Sequence, residues 1–276
     1  MTPLDSHWFK QLQASVNQPP LLPREPLVIG DAVIGSVVSE AFGAIVENNG
    51  LFASDELLRV RTQQGPGWRI SGNPTTVLQK VADALRNARY ARVAEQWRDE
   101  PLAVLDASGQ QIALLERGAA RALGVATRCV HLTGYTPDRQ VWIQQRAWNK
   151  ENDPGRWDTL MGGMISALDT VTSALARETR EEAGLAVDQL QDLHWAGHFT
   201  MNMPATDEAG LGYVIEHIDW FDCIVPGGHV PLNQDGEVEQ FKRVQPAQLQ
   251  SMLQDYAFTS EAALIFAQSK DRKSNQ

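Results

Sequence analysis

A short run of charged residues at positions 177–185 is the feature that most restricts what this chain can fold into. The run reads Arg-Glu-Thr-Arg-Glu-Glu-Ala-Gly-Leu, so on a helix Glu178 would lie one turn before both Glu181 and Glu182. Two like charges about 4 Å apart repel by about 4 kcal/mol at an effective dielectric constant near 20. Arg177 supplies part of the counter-charge, and a hard divalent cation such as Mg²⁺ or Mn²⁺ would supply more.

The same run is also compatible with an ordinary exposed helix on which Arg–Glu pairs neutralise one another. Its flanking residues favour a metal site instead. Gly163 and then Asp169 precede the run, and Gly184 ends a helix predicted over 171–183 before an aliphatic residue. The glycines and the acid therefore place the glutamates in a loop–helix–loop segment.

These spacings resemble the Nudix box, and the matching residues are Gly163, Arg177, Glu178, Glu181, Glu182, Gly184 and Leu185. The resemblance implies a Nudix αβα sandwich with a mixed sheet, in the α/β (α+β) class, that hydrolyses a small-molecule diphosphate with Mg²⁺ or Mn²⁺. Metal binding is assigned to Glu178, Glu181 and Glu182. Catalytic roles are assigned to Arg177, Glu178 and Glu181.

Two residues depart from the family pattern. Asp169 stands where the family has glutamate, the acid that helps to orient the box arginine, here Arg177. The missing methylene predicts a weaker link or one that runs through water. Asp169 is also a good candidate for the helix N-cap, and the two roles are compatible. Thr179 replaces an aliphatic residue, and its methyl group can still pack.

Further site candidates lie outside the box. Glu237, in the acidic turn 235–239, matches the position of an additional glutamate that many Nudix enzymes use as a metal ligand or general base, and Glu239 is second to it. Glu181 is an equal candidate for the base. Arg146, at the end of a predicted strand, is expected to bind substrate phosphates, and Gly163 is expected to contact substrate. An exposed acidic turn and a surface arginine remain the alternatives.

Hydrophobic periodicity predicts two domains and a tail. Residues 1–125 form a small α+β domain, with an amphipathic helix over 1–17, strands and turns over 27–52, a helix over 75–88, a hairpin over 102–115 and a short helix over 116–123. Residues 126–270 form the Nudix domain, with strands over 193–200 and 213–225 and helices over 249–256 and 260–269. Residues 271–276 are predicted to be a disordered tail.

The N-terminal residues resemble the domain that precedes Nudix in one subgroup, often labelled thiamine-pyrophosphokinase-related. The resembling segments are Ile29-Gly30-Asp31, Trp97-Arg98-Asp99-Glu100 and His131-Leu132-Thr133-Gly134-Tyr135. This resemblance implies thiamine diphosphate, or its oxidised or damaged analogues, as substrate and the monophosphate as product. The alternatives are a hydrolase of nucleoside diphosphate derivatives such as ADP-ribose, NADH or CoA, an isopentenyl-diphosphate isomerase, and a sensor that binds a diphosphate metabolite without cleaving it.

The overall charge narrows the choice of partners. The chain has 276 residues and a formal net charge of −10, which argues against broad electrostatic binding to nucleic acid or to an anionic membrane but leaves room for a local basic pocket. Its two cysteines, Cys129 and Cys223, are expected to be buried free thiols. With neither a signal-like N-terminus nor a long apolar stretch, a cytoplasmic protein is expected. The Nudix resemblance also leaves a homodimer open.

Overall fold

Two large β-sheets organise the part of the chain that the computed structural model describes, residues 6–51, 55–207 and 209–273. The first sheet has the strand order β2-β1-β4-β3, with strands β1 (Glu25–Ile29), β2 (Ala32–Val37), β3 (Leu57–Thr62) and β4 (Gly65–Ile70). β1 and β4 run parallel, and the two outer pairs are antiparallel.

Two helices and a hairpin cover the first sheet: α2 (Ser39–Asn48), α3 (Pro74–Asn87), β5 (Pro101–Leu105) and β6 (Gln111–Glu116). The prediction of strands and turns over 27–52 is wrong for α2. Phe42 and Val46 lie one turn apart and are both buried, and the Phe42 ring packs edge-on against Trp68 at 5.1 Å. This packing offsets the low helix propensity of Gly43.

The second sheet has seven strands and is mixed. Its main path is β11-β12-β7-β8-β13, β10 adds to β7, and β9 adds to β8. The strands are β7 (Thr127–Tyr135), β8 (Val141–Arg146), β9 (Trp157–Asp158), β10 (Met161–Met164), β11 (Gln191–Pro204), β12 (Tyr213–Ile224) and β13 (Val238–Val244). β7 and β12 are parallel, whereas the other pairs are antiparallel.

Helices pack on both faces of this sheet, which confirms the predicted αβα sandwich. On one face α4 (Val171–Ala183) buries Ala174 and Leu175 against Val130 and Leu132 of β7. On the other face lie α1 (Ser6–Ser15), α5 (Pro246–Gln254) and α6 (Ser260–Lys273). The alternation of side chains along β7 explains how one strand serves two cores.

Several boundaries differ from the prediction. α1 lies within the predicted domain 1–125, but Trp8 and Leu12 pack into the core of the second sheet with α6. Leu4, on the apolar side of the predicted N-terminal helix, is outside the described residues. The predicted helix over 116–123 contains only a 3₁₀ turn, Arg117–Ala119, followed by turns. α6 extends to Lys273, three residues into the predicted tail, because its apolar residues pack in the core; residues 274–276 are outside the described part of the chain.

Both cysteines are buried free thiols, as expected. None of the helices in the described residues has the length and apolar character needed to span a bilayer.

Candidate active site

The helix that carries the box glutamates begins and ends where the sequence predicts. Thr170 caps α4 by accepting a hydrogen bond from the backbone N–H of Ser173 at 3.1 Å, and the Ser173 hydroxyl accepts one from the Thr170 backbone N–H at 2.9 Å. At the other end Gly184 adopts a left-handed conformation with φ 64°. The N-cap is therefore Thr170, and the interpretation of Asp169 as the cap is wrong.

Asp169 instead holds the box arginine directly. Its Oδ2 accepts hydrogen bonds from Nη2 of Arg177 at 2.7 Å and from Nε at 3.0 Å, and its Oδ1 accepts one from Ser173 at 2.9 Å. The expectation of a weak or water-mediated link is wrong, because Thr170 takes over the capping and leaves the short aspartate side chain free to face Arg177. Burial opposes ionisation of Asp169, but the hydrogen bond from Arg177 keeps its pKa below the ordinary value.

Arg177 also contacts two of the box glutamates. Its Nη1 donates to Oε1 of Glu178 at 2.8 Å and to Oε2 of Glu181 at 3.0 Å. Burial disfavours the charged guanidinium, but the hydrogen bond with Asp169 and the charge of Glu178 raise the pKa of Arg177 above its ordinary value. A single guanidinium thus neutralises carboxylates on one face of α4.

Glu182 is buried and Glu178 is half-buried, whereas the side chain of Glu181 is 48% exposed. The Glu182 carboxylate accepts hydrogen bonds from Nε2 of Gln144 and from the backbone N–H of Gly162, both at 3.0 Å. Burial raises the pKa of Glu182 to about 8. Burial likewise raises the pKa of Glu178 to about 7 and outweighs its ion pair with Arg177. Both carboxylates therefore lack a full counter-charge.

Gly163 makes room for Glu178. A Cβ atom at position 163 would lie 2.1 Å from Cδ of Glu178, far inside any normal contact. The side chain of Glu178 therefore fills the volume that a side chain at position 163 would need. Gly163 also lines the cavity described below, which brings it close to the position of a substrate.

The box residues fit a divalent cation by their chemistry. Three glutamates present oxygen donors from one helix face, and two of them have raised pKa values that an added positive charge would reverse. Within the described residues, no three His, Cys, Asp or Glu side chains converge closely enough to form a ready-made metal cluster. Glu178 and Glu181 instead accept hydrogen bonds from the guanidinium of Arg177. A bound metal ion would share with Arg177 the task of neutralising these carboxylates.

Glu237 and Arg146 line the same cavity as the glutamates of α4. Lys150 forms an ion pair with Glu237. Burial alone would raise the pKa of Glu237, but the hydrogen bond from Lys150 and the charges of Lys150, Arg117 and Arg146 lower it. Arg146 donates from Nε and Nη2 to the carbonyl of Asn152 at 3.2 and 3.1 Å. The basic side chains that line the cavity therefore keep Glu237 ionised.

One cavity of about 660 Å³ brings these residues together. It is lined by every predicted site residue: Gly163, Arg177, Glu178, Glu181, Glu182, Arg146 and Glu237. Glu239 lies elsewhere, in a groove beside Trp142 and Phe241. The volume is in the range of small-molecule sites, so the predicted residues share a space that could hold a substrate.

Sequence reasoning missed three further acids that line this cavity: Asp158 and Glu216, which are buried, and Glu261, which is half-buried. Cys129 donates to Oε1 of Glu216 at 3.2 Å. Burial, followed by the charges of Glu216 and Asp158, raises the pKa of Glu261 to about 8. Glu216 has a detectable signal: along β12 it falls in phase with buried Val214, where an alternating strand points inward. Asp158 and Glu261 carry no comparable signal.

Comparison with known proteins identifies the class. The NUDIX domain model matches residues 124–265, just over half of the chain, and the chain therefore belongs to the NUDIX family. It is 28% identical over 154 residues to Nudix hydrolase 24, chloroplastic, of Arabidopsis thaliana, covering 55% of this chain and 41% of the relative. It is 29% identical over 150 residues to Nudix hydrolase 20, chloroplastic, of the same plant, covering 52% and 38%.

The chain thus spans about two fifths of the length of these two relatives. Among solved structures it is similar to DR0079 from Deinococcus radiodurans, with a TM-score of 0.49 and 18% identity over 61% of this chain and 98% of that one.

Proposed function

We propose that this chain is a divalent-metal-dependent hydrolase that cleaves the diphosphate group of a small molecule. The observation that carries the proposal is the arrangement around Gly163, where the glycine leaves space for Glu178 and the box glutamates meet the cavity. Basic side chains line the same cavity in spite of the net charge of −10, which suits a substrate with several negative charges.

The box glutamates and Glu237 have different tasks in this proposal. A divalent cation bound by Glu178, Glu181 and Glu182 would polarise a phosphoryl oxygen and acidify a water molecule. Glu237 is held as a carboxylate by Lys150, lines the same cavity, and is the candidate to accept the proton of that water. Glu181 is the second candidate for the base, because its side chain is 48% exposed and lines the cavity.

The proposed reaction adds one water across the diphosphate. The water oxygen forms a bond to phosphorus, and the bond from that phosphorus to the bridging oxygen breaks. The bridging oxygen leaves with the other phosphate. A substrate with a terminal diphosphate therefore yields a monophosphate and inorganic phosphate. Arg146 lines the same cavity, and its guanidinium is suited to donate hydrogen bonds to the phosphate oxygens.

Thiamine diphosphate, or an oxidised or damaged analogue, is the proposed substrate. The support from the cavity is that three acids outside the box line it: Asp158, Glu216 and Glu261. Burial and the charges of the neighbouring acids raise the pKa of Glu261 to about 8, so an added positive charge beside it would be favourable. A thiazolium cation would supply that charge, and a pyrimidine amino group would supply a hydrogen-bond donor. Nucleoside diphosphate derivatives such as ADP-ribose, NADH and CoA remain the alternative, since the same box chemistry would cleave them.

A substrate panel tests the proposal. The full chain with Mg²⁺ is incubated with thiamine diphosphate, its oxidised analogues, ADP-ribose, NADH and CoA, and the products are identified by mass. We expect Mg²⁺-dependent release of a monophosphate. Glu182→Gln and Glu181→Gln should lower the rate by at least about 100-fold, whereas Glu47→Gln on the exposed face of α2 should not change it.

Two results of the panel would contradict the proposal. Absence of Mg²⁺-dependent turnover of every compound, at high enzyme concentration, rules out the hydrolase. Tight binding of one compound without product would instead indicate the sensor. Turnover of ADP-ribose in preference to the thiamine compounds would retain the hydrolase and overturn its proposed substrate.

Two broader expectations remain proposals. A cytoplasmic location is supported by the two free buried cysteines, while both Arabidopsis relatives carry the word chloroplastic in their names. Imaging of the tagged full-length protein in its own cells tests the location. Sedimentation of the purified chain tests for a homodimer.

A further inference from the structure

Three arginines of the N-terminal unit line the same cavity as the Nudix box. Arg92 is the last residue of the 3₁₀ turn after α3, and Arg117 and Arg121 follow β6. None of them belongs to the NUDIX match at residues 124–265. Part of the cavity lining is therefore built by residues outside the range that matches the family model.

The backbone fixes Arg117 in place. Its N–H donates to the carbonyl of Glu100 at 2.9 Å, and its Nη1 pairs with the Glu100 carboxylate at 2.6 Å. The buried carboxylate of Glu116 accepts hydrogen bonds from the N–H groups of Arg98 and Gly118. A Cβ atom on Gly118 would lie 2.8 Å from the carbonyl oxygen of Gln96, so this position has no room for a side chain. This turn cannot shift without breaking several contacts.

Arg92 lies on a strained turn. Arg89, Ala91 and Arg92 all have left-handed backbones, with φ of 51°, 48° and 61°. Such values are uncommon for residues that carry a side chain, and they cluster at functional sites. Nη2 of Arg92 pairs with Glu151 at 3.0 Å, in the loop that follows β8. The strained turn thus places the guanidinium of Arg92 against a loop of the Nudix domain.

Arg121 differs from the other two in its partners. Its Nη1 donates to the neutral Oδ1 of Asn152 at 3.0 Å. Its carbonyl accepts from the N–H of Tyr213 at 2.8 Å, which anchors its backbone to the start of β12. Among the described residues, no carboxylate lies within 4.0 Å of its guanidinium. A half-buried arginine therefore lines the cavity with an amide oxygen, not a carboxylate, as its side-chain partner.

We propose that the N-terminal unit supplies the anion-binding wall of the active site, with Arg121 as a substrate-binding residue for the diphosphate and Arg117 beside it. The inference rests on the proposed hydrolase function. Arginine suits this task because its planar group donates two parallel hydrogen bonds to phosphate oxygens. Arg117 has a second effect, since its charge helps to keep Glu237 ionised. The substrate class is therefore a compound with at least two adjacent phosphates.

Binding of imidodiphosphate, an inorganic diphosphate analogue that resists hydrolysis, tests the wall separately from turnover. Its affinity is measured by titration calorimetry on the full chain with Mg²⁺. Arg121→Gln should weaken binding about 10- to 100-fold, as expected for lost hydrogen bonds to a charged group. Arg121→Lys should restore part of it. Arg61→Gln, an exposed arginine of β3 away from the cavity, serves as the matched control and should bind like wild type.

Two further measurements separate substrate binding from a structural role. Mn²⁺ affinity and melting temperature should be the same in Arg121→Gln and wild type, because the metal ligands lie on α4. In the hydrolase assay the variant should raise KM by more than it lowers kcat. Equal affinity of wild type and Arg121→Gln for imidodiphosphate would overturn the inference.

A wild-type chain that turns over a substrate but binds no imidodiphosphate would overturn it as well. Absence of any turnover in the substrate panel would instead overturn the proposed function.

Discussion

Replacing Gly163 with alanine should separate the activity of this protein from its stability. Cβ would lie 2.1 Å from Cδ, 2.3 Å from Cγ and 2.5 Å from Oε1 of Glu178. Carbon atoms normally approach to about 3.5 Å, so the glutamate must move by more than 1 Å. Gly163 is not left-handed, and alanine is therefore compatible with the backbone itself. The strain falls on one flexible side chain.

The cost to folding is small for this reason. Forcing Glu178 off its preferred rotamer costs about 0.5–1.5 kcal/mol. The loss of its hydrogen bond to Arg177 adds about 1–2 kcal/mol. The lower entropy of the unfolded alanine variant returns about 0.4–1 kcal/mol. The net loss is about 0.5–3 kcal/mol, which lowers Tm by about 1–12 °C in a chain of this size.

The cost to catalysis is large. A displacement of about 1 Å in a positioned group can cost about 100-fold in rate, which corresponds to about 2.7 kcal/mol of transition-state stabilisation. The assay is Mg²⁺-dependent hydrolysis of the substrate found in the panel, together with Mn²⁺ binding followed by electron paramagnetic resonance. Gly163→Ala should lose about 100-fold in kcat/KM and bind Mn²⁺ more weakly.

A matched glycine provides the control. Gly227 has no atom within 4 Å of a built Cβ and is not left-handed, so Gly227→Ala should behave like wild type. Folding of each variant is confirmed by thermal melting. If Gly163→Ala keeps kcat/KM within about threefold of wild type and melts normally, then Glu178 does not act from the position seen here and the reasoning is refuted.

Three other perturbations follow from the geometry of α4. Asp169→Asn should release the direct hold on Arg177 and lower kcat by about tenfold, whereas Asp169→Glu should stay closer to wild type in the same assay. In the metal-free protein burial raises the pKa of Glu178 to about 7 and that of Glu182 to about 8. Protons therefore compete with the cation, and Mn²⁺ affinity measured by calorimetry should fall as pH is lowered from 9 to 6, with proton release on binding. Unchanged affinity across that range would contradict the raised pKa values. Gly184→Ala should destabilise the fold by about 1 kcal/mol or more in urea unfolding, because φ is 64° and a Cβ would lie 2.8 Å from the carbonyl of Leu232.

The helix of the box was predictable because all its signals are local. The bounds of α4 follow from a cap at Thr170, helical spacing and a left-handed glycine at 184. α2 was not predictable in the same way, because it depends on the contact of Phe42 with Trp68, 26 residues further along the chain. Its glycine weakens the local helix signal, and tertiary packing decides the outcome.

The site shows the same division between local and distant information. The family pattern finds Glu178, Glu181 and Glu182, since they lie within one turn of each other. It does not find Arg117 or Arg121, because an arginine beside a turn is ordinary in a sequence. Only the structure shows that both arginines line the cavity that holds the box glutamates.

The two sides of the cavity also separate two properties of the proposed enzyme. The carboxylates of α4 belong to the metal chemistry, so their variants should act on kcat. The arginines of the N-terminal unit face the same space but contact none of the box glutamates through the hydrogen bonds or ion pairs of the described residues. Their variants should therefore act on KM. If the N-terminal unit were only a support for folding, its variants would change melting temperature, and both constants would change together with it.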